Sequence, residues 1–481
     1  MKPRRSKRSV PARVAGWLLR LFLLYLVLGA TVPFAAHPSV SEDYQAAVAE
    51  TDYTGDAPGV DRVMLLEDSV TALSERFRMI SQAEERIILS TFDFRDDNSG
   101  TDMIALLWEA AERGVKVQIL VDGFSAMSHM GSRTSFVALA AHPNVEIKLY
   151  NSLRLWDPST FNGRLHDKYL IVDDDLYILG GRNTYDFFLG DYPTGRPNYD
   201  REVLVWNTGE DVEDSSLQQL LDYFDEVWNL DCCKLYRDNE ANLEKKAVQK
   251  EIEELENRAH DLRIDYYDSF QEIDYRTCTY AANQITLLSN PTDTGVKEPE
   301  LLYALTELMK TGEESVILHT PYAVCDQAMY DSLTQVAEAV PSFQMVLNSV
   351  ANGGNYLASS DYLRSKGKLL DTGVSLWEYN GGESYHGKSV VIDDRISVVG
   401  SFNWDMRSAY LDTELMLVID SEGLNAELRG YMADIQADSL LCLDKTAYGL
   451  TGDATVPEVT GAKAVVVRIL QFVTWPVRFL L

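Results

Sequence analysis

The feature that most constrains the fold of this chain is an internal duplication. Strand-like apolar runs at 86–92, 115–122 and 145–151 return in the same order at 314–321, 343–348 and 374–380. In each copy the first run precedes a helical stretch and a second run rich in β-branched residues, which is the pattern of an α/β unit. Leu89 and Leu318 are separated by 229 residues, as are Val145 and Val374. The pattern therefore predicts two duplicated α/β halves.

A second pattern follows each copy. Both halves contain the motif H-x-K-x4-D, formed by His166, Lys168 and Asp173 and by His386, Lys388 and Asp393. In an extended strand, residues i and i+2 point to the same face, so each His and Lys can contact one anionic group. A glycine-led turn with an asparagine follows each motif, at Asn183 and Asn403. Two aligned copies with matching turns indicate a functional site.

The charge distribution restricts the partners of the protein. The chain has 481 residues and a formal net charge of −31. Residues 1–36 contain seven Lys and Arg and no acid, so the remainder carries 36 basic against 74 acidic residues. Nucleic-acid binding depends on many Lys and Arg contacts to phosphates, so this composition argues against a nucleic-acid partner. Five cysteines without a C-x-x-C pair argue against a disulfide framework and a thiolate zinc site.

Both ends of the chain are apolar. Residues 17–36 are long enough to span a bilayer and follow a basic segment at 1–16, which predicts a cytoplasmic tail, a transmembrane anchor and an exported body. A cleaved signal peptide is the alternative. The apolar segment at 462–481 contains two arginines and a proline, so we expect it to lie in the membrane interface. The alternative is a segment that packs on the body.

The stretches between these ends differ in character. Residues 238–274 are dense in Glu, Lys, Gln and Leu with helical charge patterning, which is typical of a surface helix. We therefore interpret this stretch as a connector between the halves rather than as a core element. The predicted organisation is a linker at 37–60, a first lobe at 61–237, the helical connector at 238–275, a second lobe at 276–445 and a C-terminal tail at 446–481.

The paired motifs with their glycine-asparagine turns resemble the phospholipase D superfamily. The resemblance covers about 61–443, and the stretch 385–414 looks most like the bacterial cardiolipin synthase branch, close to its C-type members. It implies an α/β fold of two duplicated phospholipase D-like lobes, each a mixed β-sheet flanked by helices, which form one bilobal catalytic unit. It also implies phosphodiester exchange without a metal or a cofactor, in which one histidine of each lobe acts on a shared phosphate.

The resemblance implies separate roles for the motif residues. One imidazole attacks phosphorus and the other protonates the departing alkoxide, and both tasks suit a group that titrates near neutral pH. Following the family we expect His166 to be the nucleophile and His386 the general acid. The residues expected to stabilise the charge of the phosphoryl oxygens are Lys168, Lys388, Asn183 and Asn403.

Four carboxylates complete the predicted site. Glu202 and Glu414 each precede an apolar run, and the resemblance implies that they orient the imidazoles. Surface carboxylates at the start of a strand are the alternative. Asp173 and Asp393 belong to the family motif, and we expect them either to take part in proton transfer or to stabilise the turn after the strand.

The first half has longer loops beside its motif than the second. The segments 152–165 and 184–201 carry extra aromatic and aliphatic residues, which we expect either to contact acyl chains or to cover the edge of the core. The sequence thus favours a transferase in a bacterial cell membrane that joins phospholipids, with phosphatidylglycerol and phosphatidylethanolamine as substrates. A hydrolytic phospholipase D and a nucleic-acid phosphodiesterase are the alternatives. The sequence leaves a protein partner open.

Overall fold

The computed structural model of the protein describes residues 10–195, 198–449 and 455–481. The basic residues at 2–8, predicted to be cytoplasmic, lie outside this part of the chain, as do residues 450–454 of the predicted tail. Within it, the chain forms two large mixed sheets, each of nine strands and each flanked by helices. The predicted α/β fold with two duplicated lobes is confirmed.

Two helices precede the first sheet. They are α1 (Val10–Thr31), continued by a 3₁₀ turn (Val32–Phe34), and α2 (Glu42–Glu50). Among the described residues, the segment Val14–Phe34 is the helix that is long and apolar enough to cross a membrane, with a mean hydropathy of 1.8 and no part of its most apolar stretch buried. An N-terminal helix of this kind fits a membrane anchor.

The residues between the anchor and the first sheet are packed against the second lobe. His37 stacks on Tyr410 at 3.8 Å between ring centroids and pairs with Asp326 at 3.0 Å. The backbone amide of Ser41 donates to Glu298 Oε2 at 2.7 Å. The predicted linker therefore fixes the end of α1 to one side of the body.

The first lobe follows the predicted order of strands and helices. Its elements are β1 (Asp61–Leu66), α3 (Ser69–Gln82), β2 (Arg86–Thr91), α4 (Asn98–Glu112), β3 (Lys116–Asp122), α5 (Gly123–His129), α6 (Thr134–Ala140), β4 (Val145–Tyr150), β5 (Tyr169–Val172), β6 (Leu176–Gly180), β7 (Asn198–Tyr199), β8 (Glu202–Asn207), α7 (Ser216–Trp228) and β9 (Lys234–Leu235). The long helix α8 (Lys246–Asp265) and the short strand β10 (Tyr280–Ala281) come next.

The second lobe repeats this arrangement. Its elements are β11 (Gln284–Ser289), α9 (Glu300–Met309), β12 (Ser315–His319), β13 (Ala323–Val324), α10 (Gln327–Ala339), β14 (Ser342–Asn348), α11 (Tyr356–Asp371), β15 (Ser375–Tyr379), β16 (Ser384–Tyr385), β17 (Ser389–Ile392), β18 (Ile396–Gly400), β19 (Trp404–Asp405), α12 (Met406–Tyr410), β20 (Leu415–Asp420), α13 (Glu422–Ala437), β21 (Ser439–Cys442), β22 (Tyr448–Gly449) and α14 (Gly461–Val473). A 3₁₀ segment (Trp475–Leu480) follows α14.

The two sheets have matching topologies. The strand order is β10-β1-β8-β6-β5-β2-β3-β4-β9 in the first and β11-β20-β18-β17-β12-β14-β15-β21-β22 in the second. In each lobe three neighbouring strands, β2, β3 and β4 or β12, β14 and β15, are parallel. The motif strands β5 and β17 pair antiparallel with the first of these. Equivalent strands therefore carry the two motifs.

The lobes share an apolar core. Side chains from both sheets, among them Val63, Ile171, Val391 and Leu417, are fully buried in one cluster. Helix α7 of the first lobe contacts β11 of the second, and α13 of the second contacts β1 of the first. Strand β10, which follows α8, pairs with β1 at the edge of the first sheet. Burial of apolar surface between the lobes makes them one folding unit.

The interpretation of 238–275 as a connector outside the core requires correction. Helix α8 lies on the surface, but one face packs on α4 and α6 of the first lobe. Its residues Val248, Leu255, Ala259 and Leu262 are buried in the core of that lobe. The sequence did not reveal this apolar face, because its residues recur only every three to seven positions and most residues between them are charged or polar.

The segment after the second lobe packs on the body, which is one of the two sequence-based alternatives, and its place in the membrane interface stays a prediction. Helix α14 packs on α11 through the buried Val467, and Arg478 pairs with Asp361 at 2.8 Å. The opposite side leaves Phe472 88% and Trp475 55% exposed. Exposed aromatic side chains on a packed helix are suited to the membrane interface.

Candidate active site

The two motif histidines line one cavity between the lobes. His166 precedes β5 and His386 precedes β17. Both border a cavity of about 380 Å³, whose walls also include Asn183 of the first lobe and Tyr385 of the second. We refer to it as the two-histidine cavity. Its mixed polar and aromatic walls are typical of a ligand site.

Each histidine is held by a carboxylate of the opposite lobe. His166 Nδ1 lies 2.8 Å from Glu414 Oε1, and His386 Nδ1 lies 2.7 Å from Asp200 Oδ2. Both carboxylates are fully buried. A carboxylate that accepts from Nδ1 fixes the ring orientation and leaves Nε2 as the free nitrogen of a neutral imidazole. Neither lobe alone therefore contains a complete histidine–carboxylate pair.

The backbone amide of each histidine also donates a hydrogen bond to the opposite lobe. The His166 amide donates to Thr413 Oγ1 at 3.0 Å, and the preceding Leu165 forms a parallel bridge with Thr413. In the other half, β16 pairs in parallel with β7, and the His386 amide donates to the carbonyl of Tyr199 at 2.6 Å. Each histidine is thus fixed by the chain segment that ends in its carboxylate.

The prediction for Glu202 is wrong, and Asp200 has the predicted contact. The Glu202 carboxylate forms two hydrogen bonds with Arg76, at 2.7 and 2.9 Å, and an ion pair with Arg182 at 3.5 Å. It therefore balances buried guanidinium charges and contacts neither imidazole. Glu414, in contrast, contacts His166 as the resemblance implied.

The strand register explains why these two glutamates are not equivalent. Gly180 pairs with Glu202 between β6 and β8, whereas the equivalent Gly400 pairs with Met416 between β18 and β20. Counting back two residues from each partner reaches Asp200 and Glu414. The start of the apolar run was therefore a misleading signal, since the first lobe has two polar residues between Asp200 and that run. Counting along the sequence from the glycine turn does not identify Asp200, because the spacing is 20 residues from Gly180 to Asp200 and 14 residues from Gly400 to Glu414.

The residues beside the two carboxylates also differ. Ser401 and Ser408 both donate to Glu414, each at 2.5 Å. Gly181 occupies the equivalent of Ser401, and a Cβ atom there would lie 2.3 Å from Asp200 Oδ1. The shorter aspartate therefore requires a glycine, because the backbone approaches its carboxylate too closely for a side chain.

Both motif lysines are buried next to their histidines. Lys168 Nζ donates to the backbone carbonyl of His166. Lys388 Nζ lies 2.6 Å from His386 Nδ1. Burial lowers the pKa of Lys168 to about 7 and that of Lys388 to about 8. An anion in the cavity would favour their charged forms.

The same surroundings shift the pKa values of the two histidines and of their carboxylate partners. Burial and Lys388 lower the pKa of His386 to about 4, and burial and Lys168 lower the pKa of His166 well below its usual 6.5. Burial raises the pKa of Glu414 to about 8, whereas Lys168 and the hydroxyls of Ser401 and Ser408 favour its ionised form, which is the form that accepts from His166 Nδ1. Burial alone would also raise the pKa of Asp200, but Lys388 and His386 bring it below its usual value. At neutral pH Asp200 is therefore ionised and both imidazoles are neutral.

The motif aspartates are not in the cavity. Asp173 and Asp393 follow β5 and β17 with positive φ angles of 51° and 46°. The Asp173 carboxylate accepts the backbone amides of residues 84–86, and the Asp393 carboxylate accepts those of residues 313–315, at 2.8 to 2.9 Å. Strands of four residues, each about 13 Å long, lie between them and the lysines. Of the two roles open from the sequence, this geometry corresponds to the structural one.

The asparagines lie in adjoining cavities. Asn183 borders the two-histidine cavity, and its Oδ1 accepts the Asp93 amide at 3.2 Å. Asn403 borders a second cavity of about 380 Å³, which shares Phe92, His166 and Tyr322 with the first. We refer to the second as the Arg164 cavity, after the guanidinium in its wall. Within the described residues, no group of three or more His, Cys, Asp or Glu is arranged to hold a metal ion.

The long loops of the first lobe reach both cavities. Phe187 and Phe188 border the two-histidine cavity, and the Phe188 ring lies 5.3 Å from the His386 ring. Phe161 borders the Arg164 cavity. Trp156 is 77% exposed, and its carbonyl accepts the hydroxyl of Tyr25 in α1 at 2.7 Å. The loops thus link the cavities to the apolar helix α1.

Comparison with known proteins agrees with this arrangement. A family model described as cardiolipin synthase, PLD-like domain, matches residues 77–228 and 305–435. An uncharacterized protein of Helicobacter pylori is 25% identical over 84% of this chain and 85% of its own length. Cardiolipin synthase C of Escherichia coli K12 is 28% identical over 76% of this chain and 83% of its own.

A solved structure has the same fold. The crystal structure of phosphatidylserine synthase from Haemophilus influenzae matches with a TM-score of 0.61 and 15% identity, and covers 92% of this chain and all of that one. The family model matches more than half of the chain, in two segments that contain both motif histidines. The chain therefore belongs to the family of cardiolipin synthase phospholipase D-like domains and is an enzyme of the phospholipase D superfamily.

Proposed function

We propose that the protein transfers the phosphatidyl group of one phospholipid to an alcohol group of another, with phosphatidylglycerol as acceptor and cardiolipin as product. The observation that carries this proposal is the pair of imidazoles in one cavity, each fixed through Nδ1 by a carboxylate of the other lobe. Two such groups divide a difficult displacement into two easier steps. The name of the Escherichia coli relative supports cardiolipin as product.

In the first step, His166 Nε2 attacks phosphorus and forms an N–P bond. The bond from phosphorus to the headgroup oxygen breaks, and His386 gives its Nε2 proton to that oxygen. Lys168, Lys388 and Asn183 stabilise the phosphoryl oxygens as charge develops. Asp200 stabilises the His386 imidazolium that holds the proton before transfer.

In the second step, the acceptor alcohol enters beside His386. The neutral His386 removes the proton of the hydroxyl group, and the resulting oxygen attacks phosphorus. The N–P bond breaks, and its electron pair returns to His166. Hydrolysis would follow the same course with water as acceptor, so exclusion of water decides between transfer and hydrolysis.

The low pKa of His386 predicts proton uptake on binding. At pH 7 a group with a pKa of about 4 is unprotonated in the empty cavity. A bound phosphate-like anion favours the imidazolium, so we expect tungstate binding to take up about one proton per site. Titration calorimetry in buffers of different ionisation enthalpy measures this number. The His386→Ala variant should take up fewer protons. Equal proton uptake by both proteins would contradict the assignment of this proton to His386.

Lipid analysis tests the proposed reaction directly. The protein is expressed in bacteria that lack their own cardiolipin synthases, and lipid extracts are compared by mass spectrometry with those of a His386→Ala control. We expect cardiolipin only with the unchanged protein. In vitro, release of glycerol or of ethanolamine identifies phosphatidylglycerol or phosphatidylethanolamine as the donor. Accumulation of phosphatidic acid without cardiolipin would instead indicate a hydrolytic phospholipase D.

We further propose that the catalytic lobes lie outside the cytoplasm, with α1 as the anchor in a bacterial cell membrane. Five of the seven basic residues in 1–36 precede α1 and the other two, Arg13 and Arg20, lie in its first half, while the body carries an excess of acid, which favours export of the body. A reporter that is active only after export, fused after Leu443, should give a signal. Activity of a cytoplasmic reporter at the same position would contradict this orientation.

A further inference from the structure

The Arg164 cavity differs from the two-histidine cavity in its walls. It borders His166 but not His386, and much of its lining is apolar. The apolar side chains are Phe92, Phe124, Phe161, Leu357, Leu480 and Leu481. This cavity is therefore open to a group attached to His166 and offers it a hydrocarbon environment.

The guanidinium of Arg164, in the wall of this cavity, has hydrogen-bond acceptors among the described residues for only one of its three nitrogens. Arg164 is 4% exposed, and its Nη2 donates to the carbonyls of Asn151 and Asn162 at 3.0 Å and of Thr160 at 2.7 Å. Nη1 forms an ion pair with Asp122 at 3.6 Å, too long for a hydrogen bond. Within the described residues, Nε and Nη1 have no hydrogen-bond acceptor. Buried donors without an acceptor are costly, so these nitrogens indicate a missing acceptor such as a ligand oxygen.

The cavity also lies next to the membrane helix. Asn162 Nδ2 donates to the carbonyl of Ala30 in α1 at 2.7 Å, and Pro158 packs on Gly29. Phe161, in the same turn, borders the cavity. The end of α1 therefore lies beside a wall of this cavity, where the acyl chains of a bilayer lipid begin.

The direction of the displacement at phosphorus indicates which part of the lipid lies in each cavity. Attack and departure lie in line at phosphorus, so the leaving headgroup lies opposite His166, on the side of His386. The glycerol and acyl chains stay bonded to phosphorus and remain with His166. We propose that the Arg164 cavity binds the acyl-glycerol part of the retained phosphatidyl group, with Arg164 donating to its ester carbonyl oxygens. The two-histidine cavity then receives the headgroup and afterwards the acceptor. This assignment rests on the proposed function.

A cavity-filling variant tests the assignment on the full chain. Leu357 and Leu363 both lie on α11 and are similarly exposed, but only Leu357 borders the cavity. We expect Leu357→Trp to lower kcat/KM for dihexanoyl phosphatidylglycerol at least tenfold, measured by glycerol release. Leu363→Trp, which adds the same bulk elsewhere on the helix, should remain near the wild-type value. Equal rates for the two variants would overturn the assignment of the cavity.

A second measurement tests the carbonyl contact itself. The dihexyl ether analogue of the same lipid has no ester carbonyl oxygens. We expect the wild-type protein to prefer the ester about tenfold in kcat/KM, and Arg164→Lys, which keeps the charge, to lose most of this preference. Thermal unfolding monitored by circular dichroism shows whether each variant is folded. An unchanged ester-to-ether ratio would overturn the role of Arg164, whereas no headgroup release from either lipid by the wild type would overturn the proposed function instead.

Discussion

Replacement of either His166 or His386 by alanine is expected to reduce turnover by about 10³-fold or more, and the double replacement should be no worse. The reason is that both imidazoles act in the same step, one as nucleophile and the other as general acid, so loss of either stops the reaction. Headgroup release from phosphatidylglycerol by the purified variants measures the effect. Substantial turnover in either single variant would mean that the two lobes catalyse independently.

A labelled lipid separates the roles of the two histidines. With phosphatidylglycerol labelled in an acyl chain, we expect an acid-labile label on His386→Ala, since the nucleophile is intact. No label should appear on His166→Ala. A label on His166→Ala and none on His386→Ala would mean that His386 is the nucleophile and His166 the acid. Both variants would still lose turnover.

The second large effect concerns two acidic residues that are close in sequence and differ in role. Asp200→Asn should reduce kcat by about 10²- to 10⁴-fold, because an amide does not enforce the tautomer and charge that His386 needs. The fold should be retained, since Asn is isosteric with Asp. Steady-state kinetics together with the midpoint of thermal unfolding measure both properties.

Glu202→Gln is the matched comparison for this effect. It leaves Arg76 and Arg182 with uncompensated buried charge, so the free energy of unfolding should fall by about 3–5 kcal/mol. The folded fraction should retain kcat within a few-fold, because Glu202 contacts neither imidazole. A large loss of kcat in Glu202→Gln without loss of stability, together with an active Asp200→Asn, would restore the sequence-based assignment.

The sequence alone determined the duplicated architecture and most of the site. Spacing along one chain is enough to detect a repeat, and alternation along a strand is enough to predict that His166 and Lys168 lie on one face. The family resemblance added the contact of Glu414 with an imidazole, which the structure shows at His166. Local patterns carried these conclusions because each depends on residues within a few positions of one another.

Only the tertiary structure decided which groups meet across the lobes. The contact of Asp200 with His386 depends on strand register and on the pairing of β16 with β7, between residues almost 200 positions apart. The packing of α8 on the first lobe and the unpartnered nitrogens of Arg164 likewise depend on distant elements. A repeat pattern aligns equivalent residues of the two halves only where the loops between them have equal lengths. The loops of the first lobe are longer, so the sequence pointed to Glu202 instead of Asp200, two residues before it. Pairing between strands fixes that shift, because β16 and β7 place Asp200 against His386, whereas the register of β6 and β8 leaves Glu202 with Arg76 and Arg182.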